Sequence, residues 1–478
     1  MTDVRPILVW FRRDFRLADH AALTAAASRG VPVIPAFVHD ETVEALGAAP
    51  KWRMGLAVER FSKTLEGLGS RLILRRGPAI EAIVALAADV NAQAVYWSRA
   101  YLPDQIARDT AVKTALKDNG VEAESFTGHL LFEPWRVATK TGGYYRVYTP
   151  MWKSVRGTDL AAPLPPVARI PAPQVWPDSG ALDAWGMGRA MDRGAAVVAQ
   201  HVAVGEQAAL ARLELFIDEI VDDYDRTRDL PAIYGTSRLS ENLTHGEISP
   251  LTAWHAGWRA ISDGKRGAET FLKELVWREF AYHLAWHSPE ILTRNWRPDW
   301  DKFPWQGASE ASTRWSQGRT GVPFVDAAMR EMYVTGTMHN RGRMIVASYL
   351  TKHLMTHWKI GMDWFAECLV DWDPAANAMG WQWSAGSGPD ATPYFRIFNP
   401  NTQLEKFDKS GGYARKFIAE KSSPSSKTAL SYFDAIPRQW GLSPTMGYPD
   451  PLIDLAHGRA RALDAYSQHR KAEKSFQA

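Results

Sequence analysis

A parallel α/β domain followed by a large all-α domain is the fold this sequence predicts. Three observations lead there. Over residues 1–130 short apolar runs alternate with helical patterns, residues 161–177 are rich in proline, and from about Glu206 onward the periodicity turns helical with few strand signals. Apolar strands separated by helices of about ten residues or more argue for a parallel sheet covered on both faces. At roughly 100–200 residues per domain, a chain of 478 residues suggests two or three units.

Strands are expected at residues 7–11 (ILVWF), 31–38 (VPVIPAFV), 71–74, 94–97 and 121–126. Helices are expected between them at 21–28, closed by Gly30; at 52–68, closed by Gly69; at 80–90; and at 106–118, closed by Gly120. Ligands of such sheets bind at the carboxyl ends of the strands. No G-x-G-x-x-G follows the first strand, so the dinucleotide fingerprint is absent. Residues 131–205, which include the proline-rich stretch, read as an extended interdomain linker. Residues 206–478 read as the helical domain, with helices at 208–225, 267–287, 325–335, 340–358 and 364–370 and a last one within 452–475.

Composition narrows the class. Hydrophobic residues make up 46% and charged residues 23%, ample for a soluble core. A net charge of +3 demands no acidic partner, but residues 391–478 hold seven Lys and six Arg against eight Asp and Glu. Such a local excess suits a phosphate backbone and equally a solvated surface. Cys368 is the only cysteine, which excludes an intramolecular disulfide and any Cys-built zinc or iron–sulfur site. The start, MTDVRPILVWFRRDFRL, lacks the apolar length and cleavage site of a signal peptide, and no apolar run reaches transmembrane length. A cytoplasmic protein without a membrane partner is expected. The 21 Trp are either a large aromatic core or stacking surfaces and electron stepping stones.

Four segments carry chemistry. Residues 235–240 (GTSRLS) gather hydroxyls, an Arg and a Gly ahead of a helix, which fits a pyrophosphate and equally a helix cap with a neighbouring Arg. In FLKELVWREFAYHLAW (271–286), Glu274 and Arg278 share a helix face and suggest an ion pair amid aromatics. TMHNRGRMIVASYLTKHLMTHW (337–358) crowds Asn340, Arg341, Arg343 and Met344 at a helix start, where they suit phosphate or carboxylates. Within 371–400, Asp371 and Asp373 lack further ligands at metal spacing, so salt bridges to the preceding arginines are expected and no metal.

Together the blocks VWFRRDFRL, GTSRLS, KELVWREF, TMHNRGRMIVASYL and NAMGWQWSAGSGPDATPYFRIFNP resemble the photolyase and cryptochrome family, in order and through nearly the whole chain. The resemblance implies an α/β parallel-sheet N-terminal domain that binds an antenna pigment, plus a large all-α FAD-binding C-terminal domain. It implies repair of cyclobutane pyrimidine dimers in UV-damaged DNA by electron transfer from excited reduced FAD, carried out by a monomer. Matched FAD positions are Tyr224, Thr236, Ser237, Arg238, Leu239, Ser240, Phe271, Arg278, Asn340, Arg343, Asp371, Asp373 and Asn377. Matched lesion and DNA positions are Glu274, Trp277, Asn340, Met344 and Trp383 for the dimer, and Arg228, Arg341, Arg396 and Lys406 for the backbone. Trp381, Trp358 and Trp305 match the family's electron relay.

Branch assignment rests on single positions. Asn340 and Met344 resemble the cyclobutane-dimer branch rather than the (6-4) enzymes, which use a His-based acid/base pair there. Asn377 resembles repair enzymes rather than plant-type cryptochrome photoreceptors, which carry Asp; these two activities are the alternatives. Phe271 and Thr337 replace common Trp residues, and His20 a common Asn. Gln105 cannot supply the Glu of one folate-binding branch. LGAAPKWRM and GGYYRVYTPMW resemble the bacterial class III enzymes, with class I next, so 5,10-methenyltetrahydrofolate is the expected antenna and 8-hydroxy-deazaflavin the alternative.

Overall fold

The computed structural model describes residues 4–390 and 396–477; residues 391–395 of the last motif lie outside it. Five parallel strands form one sheet in the order β3-β2-β1-β4-β5: β1 is Ile7–Phe11, β2 Val33–His39, β3 Ile73–Arg76, β4 Ala94–Ser98 and β5 Glu122–Phe126. β1 and β2 are buried along their whole length. Ile7, Val9 and Phe11 join a core with Phe37 and Phe61 on one face, while Leu8 and Trp10 join Ile34, Ile73 and Trp97 on the other. Burial on both faces explains the unbroken apolar run of these strands.

β2 begins two residues later than expected. Pro32 has no N–H to give to a ladder, and its carbonyl accepts from Ile7 instead (2.9 Å). Pro35 is tolerated inside β2 because pairing with β3 starts only at Ala36. Strand order reverses at β1, with β2 and β3 on one side and β4 and β5 on the other, which opens a crevice at the strands' carboxyl ends.

Beyond the sheet, residues 160–177 run without regular structure, with the Pro171 carbonyl accepting from Val33 (2.8 Å) and Ile170 buried in the sheet core. The helical part is organised around the long Ala268–His287 helix, against which the Tyr148–Val155, Pro250–Ser262 and Pro374–Ala385 helices pack. Two expected helices are interrupted. The one expected at 208–225 is Glu206–Leu215, then a wide π turn and a 3-10 turn before Tyr224–Thr227. The one expected at 340–358 is Asn340–Ser348 with a π turn at Tyr349–His353, and Met355 then takes a positive φ of 55°. A new helix, Trp358–Cys368, starts under a cap from His357 Nδ1 to the Lys359 amide (3.1 Å). Among the described residues no helix is long and apolar enough to cross a membrane.

Candidate active site

The Ala268–His287 helix buries Leu272, Leu275, Val276 and Phe280 and turns Glu274, Trp277 and Arg278 toward a half-exposed rim. The ion pair expected between Glu274 and Arg278 is not formed. Glu274 pairs instead with Arg228. Arg278 turns to Glu279 Oε1 (3.0 Å) and a ring nitrogen of His129 (3.0 Å). Burial works against the charge of Arg228, and Glu274 beside it more than restores it, leaving the guanidinium above its ordinary pKa.

Opposite stands the N-terminus of the Asn340–Ser348 helix. Arg341 pairs with Asp229, and Arg343 holds both oxygens of Asp371 (2.9 and 2.7 Å). Asp373 is occupied: Oδ1 caps the Ala376 amide (2.9 Å) and Oδ2 accepts from Tyr282 (2.6 Å). Asn377 donates to the Met362 carbonyl (3.0 Å). These bonds tie loop 228–240, the Ala268–His287 helix, the Asn340–Ser348 helix and the start of the Pro374–Ala385 helix into one closed frame. Asp229 is the residue that sequence reasoning missed; its signal was its place beside Arg228 in YDRTRDL.

Loop 235–240 completes the frame. Arg238 takes φ 53°, in the left-handed region, and Leu239 after it is right-handed (φ −79°, ψ −5°). Successive residues of opposite hand turn their amides toward one side, the backbone geometry of an anion-binding nest, with the Leu239 amide donating to Ser237 Oγ (3.4 Å) until an anion takes its place. The helix that follows, Ser240–Thr244, is too short to add much dipole. Thr236 and Ser237 are half-buried and Ser240 is exposed, so all three hydroxyls border the loop surface. Tyr224 and Phe271 are buried in one aromatic cluster with Phe216.

On the rim, Trp277, Met344 and Trp383 are half-buried, whereas Asn340, Arg396 and Lys406 are exposed. Arg341 and Lys406 both lie over the ring of Phe407, at 4.3 and 5.0 Å, which gathers two cations on one patch. Trp381 and Trp358 are buried and Trp305 is half-buried. His357 bridges the last two, with ring centroids 5.5 Å from Trp358 and 5.0 Å from Trp305.

His339 begins the Asn340–Ser348 helix by accepting the Arg341 amide on Nδ1 (3.1 Å). Burial, opposed by Asp229 and aided by Arg341 and Arg343, pushes its pKa down to about 4. Burial and His287 do the same to His283, which accepts the Tyr145 amide (3.0 Å). Both rings are neutral in the fold, while an unfolded imidazole takes a proton near 6.5. Their contribution to stability is complete above that value and is lost as pH falls toward 4. The thermal midpoint is therefore expected to drop between pH 6.5 and 4. His339→Asn, which can still cap, should flatten part of the drop; an unchanged profile would show that His339 does not contribute.

A family model described as the FAD binding domain of DNA photolyase matches residues 271–468, and one described as DNA photolyase matches residues 7–173. A deoxyribodipyrimidine photo-lyase of Agrobacterium fabrum is 43% identical over 472 residues, 98% of each chain. The chain belongs to the DNA photolyase family. A bacterial class III photolyase from Agrobacterium tumefaciens superposes with a TM-score of 0.89 at 42% identity, covering 98% of both chains. An archaeal photolyase from Sulfolobus tokodaii, solved with two FAD molecules, gives 0.79 at 28% identity, covering 97% of this chain and 100% of its own.

As in the DNA photolyase family at large, FAD is the cofactor of the helical domain. The residues present fit it: the nest at Arg238–Leu239 suits a pyrophosphate, and the Arg343–Asp371 pair supplies a fixed dipole on the facing wall. A cavity of about 790 Å³ opens where the sheet predicts one. Arg12–Asp14 after β1, Val38 and Asp40 at the end of β2, and Ser98–Leu102 after β4 line it, with Gln105, Met54, Glu290, Met362 and Asn377. It runs from the crevice at the strand ends to the edge of the FAD-domain frame. Trp52 lies outside it, packed with Ala49, Val198 and Val370.

Proposed function

We propose that this chain uses light to repair cyclobutane pyrimidine dimers in DNA, acting as a cytoplasmic monomer. The observation that carries the reading is Glu274: a half-exposed carboxylate one turn from half-buried Trp277 and held by Arg228, at the rim of the FAD frame. The name of the Agrobacterium fabrum relative, deoxyribodipyrimidine photo-lyase, supports it.

FAD would be held by Tyr224, Thr236–Ser240, Phe271, Arg278, Asn340, Arg343, Asp371, Asp373 and Asn377. Bound and reduced, it supplies the light-driven electron. The chain's residues do the rest. Arg341, Arg396 and Lys406 hold the backbone and position the strand without reading sequence. The lesion is flipped out at a cost of a few kcal/mol, smaller for damaged bases. Trp277 and Trp383, on packed neighbouring helices, stack on it, with Asn340 and Met344 lining the pocket. Glu274 hydrogen-bonds the pyrimidine edge, and Arg228 places a cation behind that carboxylate, offsetting negative charge on the lesion. His339, capped to its helix through Nδ1 and kept neutral by burial, has no imidazolium proton to donate as the acid of a (6-4) enzyme would.

The cavity at the strand ends is proposed to take the antenna, 5,10-methenyltetrahydrofolate. Its apolar lining of Phe37, Leu46, Met54 and Met362 suits a planar ring, and Arg13, which donates to the Trp372 carbonyl (3.0 Å), suits an anionic tail. One preparation tests both readings. Under blue light the reduced protein should split a defined cyclobutane dimer in an oligonucleotide and leave a (6-4) product intact. Absence of dimer splitting with fully reduced FAD bound would sink the main reading. Denaturation should release a pterin beside FAD; a deazaflavin would replace the antenna assignment.

A further inference from the structure

The segment GGYYRVYTPMW (142–152) has no part in the roles assigned above. In the fold it lies as a strap along the Ala268–His287 helix. Tyr144 stacks on His287 with centroids 4.8 Å and planes 8° apart, and its hydroxyl meets Ser288 Oγ (2.7 Å). The Tyr145 amide donates to His283 (3.0 Å). The strap then reaches the rim, where Tyr148 lies face to face with Trp277, centroids 3.8 Å and planes 4° apart.

Tyr148 is itself held from several sides. Its hydroxyl donates to the Lys273 carbonyl (2.7 Å) and its amide to Asp390 Oδ2 (3.4 Å). Phe280 presents its edge to both rings, at 6.0 Å from Tyr148 and 5.8 Å from Trp277. Tyr148 is buried, while Trp277 keeps part of its surface exposed. One face of the indole is thus backed by a fixed ring, and the part of the indole that stays exposed is free to meet a base. A platform ordered in advance does not have to be ordered on binding, so more of the stacking energy appears as affinity.

We propose that Tyr148 is a positioning residue that fixes Trp277 as a rigid stacking platform and so gives the protein part of its preference for damaged over undamaged DNA. The proposal rests on the reading of Trp277 as a lesion clamp. It also accounts for the aromatic strap that runs along the Ala268–His287 helix to the repair rim.

The test uses the FAD-loaded protein and measures dissociation constants for a dimer-containing oligonucleotide and its undamaged twin. Tyr148→Leu should lower the preference for the dimer by about tenfold, a part of one base–aromatic stack. Affinity for undamaged DNA, FAD content and the flavin absorption spectrum should stay unchanged. Tyr148→Phe, which keeps the ring and loses only the bond to Lys273, should behave as wild type. Tyr148→Met fills the site without a planar face and should match Tyr148→Leu, guarding against a folding defect in either variant. In a Trp277→Ala background, Tyr148→Leu should cause no further loss. Full loss of preference in Trp277→Ala with none in Tyr148→Leu and Tyr148→Met would overturn the proposal, as would an additive loss in the double variant. Unchanged preference in Trp277→Ala would instead remove the clamp reading itself.

Discussion

Replacing Arg53 by Met is expected to destabilise the fold by about 3–5 kcal/mol, the cost of leaving buried carboxylates without their cation. Arg53 stands on the Ala48–Glu66 helix, which covers the sheet, and its side chain is fully buried. It grips Glu247 with both terminal nitrogens (2.9 and 2.6 Å) and approaches Glu241 at 3.6 Å. Burial alone would lower the pKa of Arg53, yet Glu247 and Glu241 raise it above the ordinary value. Glu241 shows the counterpart: burial raises its pKa against the pull of Arg53 and Arg212. Without Arg53, Glu247 keeps among the described residues only neutral help from Asn242 Nδ2 (2.6 Å). The cost should appear as a lower thermal midpoint or urea midpoint. Arg53→Lys should restore only part, because an ammonium cannot reproduce the two-pronged contact. The double variant Arg53→Met/Glu247→Met should lose less than Arg53→Met alone, since it removes one stranded charge. If the single change cost under about 1 kcal/mol, the range of exposed pairs, the cluster would not be the buried tie it resembles.

That cluster shows where sequence reading stops. Local pattern made the sheet legible: ILVWF is β1 to the residue, because a central parallel strand leaves its own apolar signature. Charge complementarity made the Arg343–Asp371 pair legible, since two acids near two arginines have few better partners. Periodicity sees only its own helix, however. It put Glu274 with Arg278, whereas the fold brings Arg228 across from another segment. It carried one helix through 340–358, because nothing in Tyr349–Met355 forbids helix and the break is imposed by packing. In GTSRLS the residue types advertised phosphate, but the opposite hands of Arg238 and Leu239 that make the nest are a property of the folded loop. The stack of Tyr148 on Trp277 joins segments far apart in the chain and leaves no local trace.

Trp381→Phe is expected to abolish most photoreduction of bound FAD while leaving repair by chemically reduced protein near wild type. Trp381 is 2% exposed, and its ring fills the space beside Gly361, where an added Cβ would come within 2.0 Å of it. Gly361 lies one turn along the helix that Trp358 begins, so the two indoles occupy adjoining helices in contact. Trp358 is fully buried and fixed by its N–H to Asn295 Oδ1 (2.8 Å). His357 and half-buried Trp305 continue the line toward solvent. Electrons entering at the exposed end hop between the indoles, which are readily oxidised as benzene and imidazole are not, so His357 packs between Trp358 and Trp305 without carrying charge. Phe keeps the planar shape, so the change interrupts the line with little repacking, and the smaller ring costs at most a few kcal/mol of stability. The comparison that separates conduction from packing is Trp315→Phe. Trp315 touches Trp381 edge-on at 6.0 Å and is equally buried, but it lies off the line to Trp305. Blue light with an external reductant should still reduce FAD in Trp315→Phe and in wild type, followed as loss of the oxidised-flavin absorption. It should fail in Trp381→Phe and in Trp358→Phe. Equal photoreduction in all four proteins would show that these tryptophans serve the core alone.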